Sequence, residues 1–402
     1  MKIGGFYEHQ LPRPWTSQSE HELLKNALEQ VELADRVGFD YVWATEHHFL
    51  EEYAHSSAPE IFLAACAART KNVRLGHGIV QMAPHINHPA RVAERIATLD
   101  LLSDGRCDFG TGEGATEVEL GGFNVAQDQK RAQWLEGLQA CVRMLVEEPF
   151  TGFTGKYLDA PARNVVPKPL QKPHPPLWLA CSRRETILLA ARLGLGALTF
   201  AFVSPEESRQ WVHDYYTTLE NECEPVGFAI NPQIAMVCPF LCDRDEQLVR
   251  DMARENHGFF LYGLGHYAFF GEHEPARTNI WDNYKNQPAK VKIDDPLAAG
   301  SQAQTCVGTP AQIREALSGF EESGVDQVLF LSQAGKIPHE LLSSSIDLFG
   351  REVLPEIKER DHKRTRDKIA LVERLNEKAM KRKPKLEARP GPGTIIRAAG
   401  HH

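Results

Sequence analysis

The chain has 402 residues and no C-x-x-C pair. Its eight cysteines, at 66, 107, 141, 181, 223, 238, 242 and 306, are scattered. That pattern argues against a cysteine zinc site and a disulfide framework, and it suits a reducing compartment. No H-x-H or H-E-x-x-H occurs, so the usual zinc-hydrolase spacings are missing and no metal is expected. No apolar run approaches the roughly 20 residues of a membrane helix. Met1-Lys2-Ile3-Gly4-Gly5-Phe6 lacks the apolar core of a signal peptide. A soluble, cytoplasmic protein is the expectation, with no membrane partner. A long basic stripe is also absent and the net charge is -9, which argues against nucleic acid and for a small-molecule partner.

What is there alternates. Strand-like runs at 2–7, 41–44, 73–80, 107–110, 177–180, 197–202, 234–240 and 325–331 are separated by helical patterns at 20–37, 59–69, 89–102, 128–146, 184–193, 205–219, 244–258 and 310–322, with a last helix at 339–358. Alternation of this kind means an α/β protein with a parallel sheet. Eight units favour closure into a (β/α)8 TIM barrel over residues 1–360. Two long connections depart from a minimal barrel. Residues 150–176 end in Pro167-Lys168-Pro169 and Pro173-His174-Pro175-Pro176, which predicts an extended run into the fifth strand. The extended loop between strands 7 and 8, residues 258–305, is rich in aromatics; it reads as a lid over an apolar ligand or as a dimer contact or second apolar layer. Residues 361–402 form a basic, partly helical C-terminal extension of net charge +7, leaving -16 on residues 1–360. Its core, Lys368 to Lys385, reads as a helix before Pro390-Gly391-Pro392-Gly393, either solvated or docked on an acidic neighbour.

Polar chemistry begins where strands stop. Tyr41-Val42-Trp43-Ala44 runs into Thr45-Glu46-His47-His48-Phe49, and catalytic groups of such barrels sit at the carboxyl ends of strands. The two histidines are adjacent, so alternation sends them to opposite sides. The fourth strand runs into Gly110-Thr111-Gly112-Glu113-Gly114, glycines that imply a close approach to the backbone. After the fifth strand, Ser182 and Glu185 fit a capping box. The helix start there, with Arg183 and Arg184 beside it, could hold a phosphate. His77 ends the third strand, and His88-Pro89 marks a helix boundary. In a barrel His47, His77, the glycine loop and Ser182 would share one mouth.

These segments resemble the bacterial luciferase-like family of flavin-dependent monooxygenases. The likeness rests on Gly38-Phe39-Asp40-Tyr41-Val42-Trp43, Glu46-His47-His48-Phe49, Thr70 through Gly76, His88-Pro89, Leu99 through Arg106, Phe109-Gly110-Thr111-Gly112 and Val307-Gly308-Thr309-Pro310. The resemblance implies a barrel that binds reduced FMN at its carboxyl face, a separate NAD(P)H:flavin reductase and a homodimer. It implies catalytic roles for His47, as acid/base, and Glu46. Cofactor contacts are implied for Gly78, Ile79, Thr111, Gly112 and Glu113, and for Ser182, Arg183 and Thr186 at the flavin phosphate. Gly78-Ile79 matches a region where a non-prolyl cis peptide often lies against the flavin. Glu113 departs from the family's luciferase, which has an arginine there.

The expected activity is oxygenation of a small organic substrate by reduced FMN and O2 through a C4a-(hydro)peroxyflavin, by hydroxylation or Baeyer–Villiger insertion. Hydride transfer with the deazaflavin F420 is one alternative. A non-catalytic flavin-binding partner subunit is another.

Overall fold

The computed structural model describes residues 1–286 and 304–383. Its strands β1 (Lys2–Tyr7), β2 (Tyr41–Ala44), β3 (Arg74–His77), β4 (Cys107–Gly112), β5 (Leu177–Cys181), β6 (Gly196–Phe200), β7 (Ile234–Cys242) and β8 (Gln327–Leu331) form a closed parallel ring. Each pairs with the next, and β8 returns to β1 with Lys2 opposite Gln327 and Phe6 opposite Leu331. A parallel neighbour is reached only by a crossover that carries the chain back along the outside. Helices do this: α1 (Ser19–Val37), α2 (Pro59–Arg69), α3 (Pro89–Leu102), α4 (Glu117–Gly122), α5 (Lys130–Val146), α6 (Arg184–Arg192), α7 (Pro205–Glu222), α8 (Glu246–Gly265), α9 (Ile280–Asn286), α10 (Pro310–Ser323) and α11 (His339–Glu352). Local chemistry sets their ends. α1 stops at Gly38, whose φ of 101° lets its N–H turn back to the carbonyls of Ala34 and Asp35. α10 starts at Thr309, which accepts from Gln312 N–H, with Pro310 in the first turn.

Both faces of each strand are buried, which is why the strands read as continuous apolar runs. Alternate residues still serve different layers. Val42 and Ala44 of β2 pack outward under the helices, whereas Tyr41 and Trp43 fill the lumen. Val328 and Phe330 of β8 face out, and Leu329 and Leu331 face in. Trp43 and Trp178 meet edge to face in the lumen at 5.2 Å. Gly76 is required there, because a Cβ would come 2.3 Å from the Trp43 ring. The luminal layer continues upward into Tyr53, Phe259, Phe260 and Trp281, so α8 and α9 form a cap over the mouth.

Several expectations are corrected. The third strand is not continuous over 73–80: its pairing with β2 ends with the ladder bond from Gly78 N–H to Ala44 O, and the chain resumes as Val80–Gln81 beside β4. Cis peptides among the described residues all precede proline, so Gly78–Ile79 is trans. The proline-rich connection before β5 contains a short antiparallel hairpin, Phe153–Thr154 with Asp159–Ala160. Helix α8 runs to Gly265, well past 258, since Phe259, Phe260 and Tyr262 recur at helical spacing on its buried face. A π-helical turn, His266–Phe270, follows it. The remainder of the 258–305 connection, 287–303, lies outside the described residues.

The basic extension begins inside one helix, α12 (Leu354–Met380), which runs through residue 360 and crosses the base of the barrel. Lys368 meets Asp326 at 2.9 Å, Arg374 meets Glu220 at 2.6 Å and Arg364 donates to Val325 O at 2.8 Å. Asp361 binds the Met1 ammonium and Lys2. The acidic neighbour of this basic helix is its own barrel. The Pro390–Gly393 stretch lies outside the described residues.

Candidate active site at the barrel mouth

Strands β1 and β2 end side by side, Tyr7 opposite Ala44, so the residues that follow face each other. His47 sits between two carboxylates: its Nδ1 is 2.9 Å from Glu119 Oε1 and its Nε2 is 3.3 Å from Glu8 Oε2. The ring remains 20% exposed, whereas both acids are buried. Glu8 accepts hydrogen bonds from Thr45 Oγ1 at 2.8 Å and Tyr53 OH at 3.3 Å. Glu119 accepts from Gln81 Nε2 and Thr116 Oγ1, each at 2.9 Å, and from His48 N–H at 3.2 Å. His48 takes the other direction, as alternation predicts, and its Nε2 lies 3.0 Å from Glu46 Oε1. Glu46 also accepts from Asn87 Nδ2 at 2.7 Å.

Burial by itself lowers the basicity of His47, but the charges of Glu119 and Glu8 outweigh it and hold the imidazolium up to about 9. Burial pushes Glu8 up despite the pull of His47. Glu119 suffers the same burial, yet His47 and the donors around it bring its carboxyl below the ordinary range. The site therefore holds a proton on His47 at neutral pH, with an acid of raised pKa on one side and an anchored carboxylate on the other.

Other expected residues are placed differently. His77 points out of the lumen, where burial drives it down to about 4, so it stays neutral and does not share the mouth. His88 caps α3, its Nδ1 accepting from Ala90 N–H at 3.2 Å. The glycine loop has an internal reason: a Cβ on Gly110 would strike the His77 carbonyl, and one on Gly112 would strike Ile79. Thr111 is turned away from the lumen, donating to Trp178 O at 2.9 Å and accepting from Trp134 Nε1 at 3.1 Å. Glu113 pairs with Arg131 at 2.7 Å. The capping box expected from Ser182 and Glu185 is displaced by one residue, because β5 extends through Cys181. Arg183 is the cap, and Thr186 Oγ1 accepts from its N–H at 3.2 Å.

That shift leaves Ser182 exposed at the start of α6. The N–H groups of Arg184 and Glu185 lie at the open helix end, and Arg183 has no carboxylate partner among the described residues. Lys130 and Arg131 lie close enough for their charges and that of Arg183 to act on one another. A hydroxyl, free N–H groups and the cations Lys130 and Arg183 around one helix terminus fit a phosphate monoester such as that of FMN.

Glu8, Glu119, Tyr53, Gln81 and Asn87 escaped the sequence reading. Glu8 follows β1 at its carboxyl end, the position rule that singled out Glu46. Thr116-x-x-Glu119 is a capping signature, and Thr116 does cap α4. The Glu119 carboxylate, however, turns to His47 as well.

A closed (β/α)8 barrel with a proton-bearing cluster at its carboxyl face defines the class: a barrel enzyme whose chemistry sits on the βα loops. The model of the luciferase-like monooxygenases matches residues 1–327, and the chain belongs to that family. It is 26% identical over 344 residues to the oxygenase component of a flavin-dependent trigonelline monooxygenase of Acinetobacter baylyi, covering 85% of this chain and 92% of that one. A crystal structure of a monooxygenase from Streptomyces bottropensis is similar at a TM-score of 0.72 with 26% identity, covering 89% of this chain and all (100%) of that one. An F420-dependent secondary alcohol dehydrogenase shares the fold at a TM-score of 0.66 and 20% identity, over 88% of this chain and 98% of that one.

Proposed function

We propose that this protein is a flavin-dependent monooxygenase that binds reduced FMN at the barrel mouth and oxygenates a small organic substrate. A separate NAD(P)H:flavin reductase supplies the flavin, and the working form is a homodimer. The observation that carries this reading is His47, held as an imidazolium between Glu8 and Glu119 at the carboxyl face. The family and its flavin-dependent relative support the cofactor class.

Reduced FMN, when bound, supplies the electrons that activate O2. The protein's part is placement and protons. Ser182, Arg183 and the start of α6 would hold the phosphate, with Lys130 near. Ile79, over Gly112, would present an apolar face to the ring. His47 is the proton donor, and Glu8, 3.3 Å from its Nε2, helps keep that proton in place. Glu119, fixed by three donors, orients the ring and keeps it charged. Glu46, tied to His48 and Asn87, positions the neighbouring loop. The aromatic cap of α8 and α9 excludes water.

A second reading is hydride transfer with F420, the cofactor named for an alcohol dehydrogenase that shares this fold. Anaerobic titration with reduced FMN and with reduced F420, followed by O2, separates these. Tight FMN binding and rapid oxygen-dependent reoxidation support the monooxygenase. F420 binding without oxygen consumption supports hydride transfer, and flavin binding with no turnover of any substrate leaves a partner subunit.

A further inference from the structure

Between His47 and α2 the chain carries Glu51, Glu52 and Tyr53, and this short run binds two separate parts of the molecule. Glu52 is fully buried. It belongs to the loop after β2, yet its carboxylate meets a helix 228 positions away: Oε1 accepts from Ile280 N–H at 2.5 Å and Oε2 from Trp281 N–H at 3.2 Å. These are the first two amides of α9. The next, Asp282 N–H, is taken by Asn279 Oδ1 at 3.0 Å. Arg13 closes the far side of Glu52, its N–H donating to Oε2 at 2.8 Å and its Nε standing 3.7 Å from Oε1. Glu51 adds a second tie. It accepts from Ala276 N–H at 2.7 Å and from Arg13 Nη2 at 2.6 Å, with His273 Nε2 3.3 Å away.

Seven residues are too few for a helix to hold itself, so the place of α9 is decided by its contacts. Phe259 meets the Trp281 ring at 4.9 Å and Lys336 Nζ lies 4.4 Å from its centre. Apolar contact is non-directional. Two hydrogen bonds to one buried carboxylate fix both place and orientation. Tyr53, the next residue, serves the site instead: its ring lies 5.6 Å from that of His47 and 5.3 Å from Phe260 of α8, and its hydroxyl donates to Glu8 at 3.3 Å. Gly263 of α8 admits this ring, because a Cβ there would come 3.2 Å from it. Two neighbours in sequence thus hold the cap and the proton-bearing cluster.

Resting on the monooxygenase reading above, we propose that Glu52 is a positioning residue for the reaction: it fastens α9 over the mouth and, through Tyr53, ties closure of the cap to the surroundings of His47. Closure then depends on a carboxylate contact and not on apolar packing alone. A cap released from Glu52 admits water to the His47 cluster.

Two variants of the full-length protein test this from opposite ends. Glu52→Gln removes the charge from the loop, and Ile280→Pro removes the first amide of α9 at a helix position where proline fits. The second leaves every acid near His47 intact. Hydrogen exchange read by mass spectrometry, without cofactor, should show α9 exchanging about tenfold faster in each variant, with β1 and β8 as protected as before. Unchanged exchange in α9 overturns the proposal. Loss of protection in β1 and β8 in both variants overturns it too, by making Glu52 part of the scaffold. In the same samples the His47 titration, followed by NMR of labelled histidine, should move down from about 9 toward 6.5 as water screens Glu8, Glu46 and Glu119. A faster α9 with His47 unmoved in both variants removes the coupling. With reduced FMN bound, O2 takes two electrons and two protons from the flavin and leaves as hydrogen peroxide, which the variants should release about tenfold faster than the parent protein. FMN bound with unaltered peroxide release sinks the role of Glu52 in the reaction. No FMN binding by the parent protein sinks the cofactor reading instead, and leaves exchange and titration to decide what Glu52 holds.

Discussion

At the base of the barrel, Asp108 meets Arg74 at 2.6 Å, Asp326 meets Lys368 at 2.9 Å and Asp361 meets Lys2 at 2.7 Å. At the mouth, Glu8, Glu46 and Glu119 meet imidazoles, hydroxyls and amides instead. Both ends bury acids, and both pay desolvation for it. The base offsets that cost with cations that never give up their charge in the working pH range, and its network is further closed by Trp178 Nε1, which donates to Asp108 at 2.9 Å. The mouth offsets it with a group that can lose a proton. Stability and chemistry are thus assigned to opposite ends, as the barrel's anatomy leads one to expect.

The comparison breaks most visibly under substitution. His47→Ala should lower turnover per folded molecule by roughly 10²- to 10⁴-fold while flavin affinity holds, with some loss of stability at neutral pH because Glu8 and Glu119 lose their buried partner. Unchanged turnover per folded molecule would make His47 part of the scaffold alone. Arg74→Ala should do the reverse, costing about 3–5 kcal/mol because Asp108 is left buried without its cation. Urea denaturation measures the cost, and turnover per folded molecule should be unchanged.

pH sharpens the contrast, because the two ends fail in opposite directions. The folded His47 holds its proton up to about 9 against an ordinary value of 6.5, so its contribution is complete below 6.5 and is lost as pH rises through 9. Asp361 is the opposite case: burial pushes it up, but Lys2 and the Met1 ammonium bring it down to about 2. Its contribution is present above 3.8 and is lost as pH falls toward 2. Glu119→Gln should lower the His47 titration midpoint by at least about one unit, read by NMR of labelled histidine, and flatten the alkaline loss of stability. An unchanged midpoint would show that Glu119 does not hold that proton. The smallest expected effect is Ser182→Ala, which should weaken FMN roughly fivefold and riboflavin not at all. Equal weakening of both would remove the phosphate from the start of α6.

How far these features were legible follows from what each depends on. Strands with both faces buried leave unbroken runs of Val, Leu and aromatics, so all eight barrel strands were visible to within a few residues. Glu46 and His47 were visible because polar residues abut such a run. Glu8 obeys the same rule, yet its importance comes from pairing with a side chain thirty-nine positions away. Glu119, seventy-two residues from His47, carries a capping signature that accounts for it without any partner. The charge of α12 reads alike whether the helix is solvated or docked, since charge composition does not say what lies opposite.

The sequence by itself determined the alternation, hence a parallel barrel, and which polar residues stand at the carboxyl ends of its strands. These are properties of neighbours along the chain, written in its periodicity. Only the tertiary structure decided that His47 lies between Glu8 and Glu119, that His77 faces outward, that the Gly78–Ile79 peptide is trans and that α12 covers the base. Each depends on register and ring closure, which bring together groups tens or hundreds of residues apart, and periodicity specifies the face a side chain occupies but not the partner it meets there.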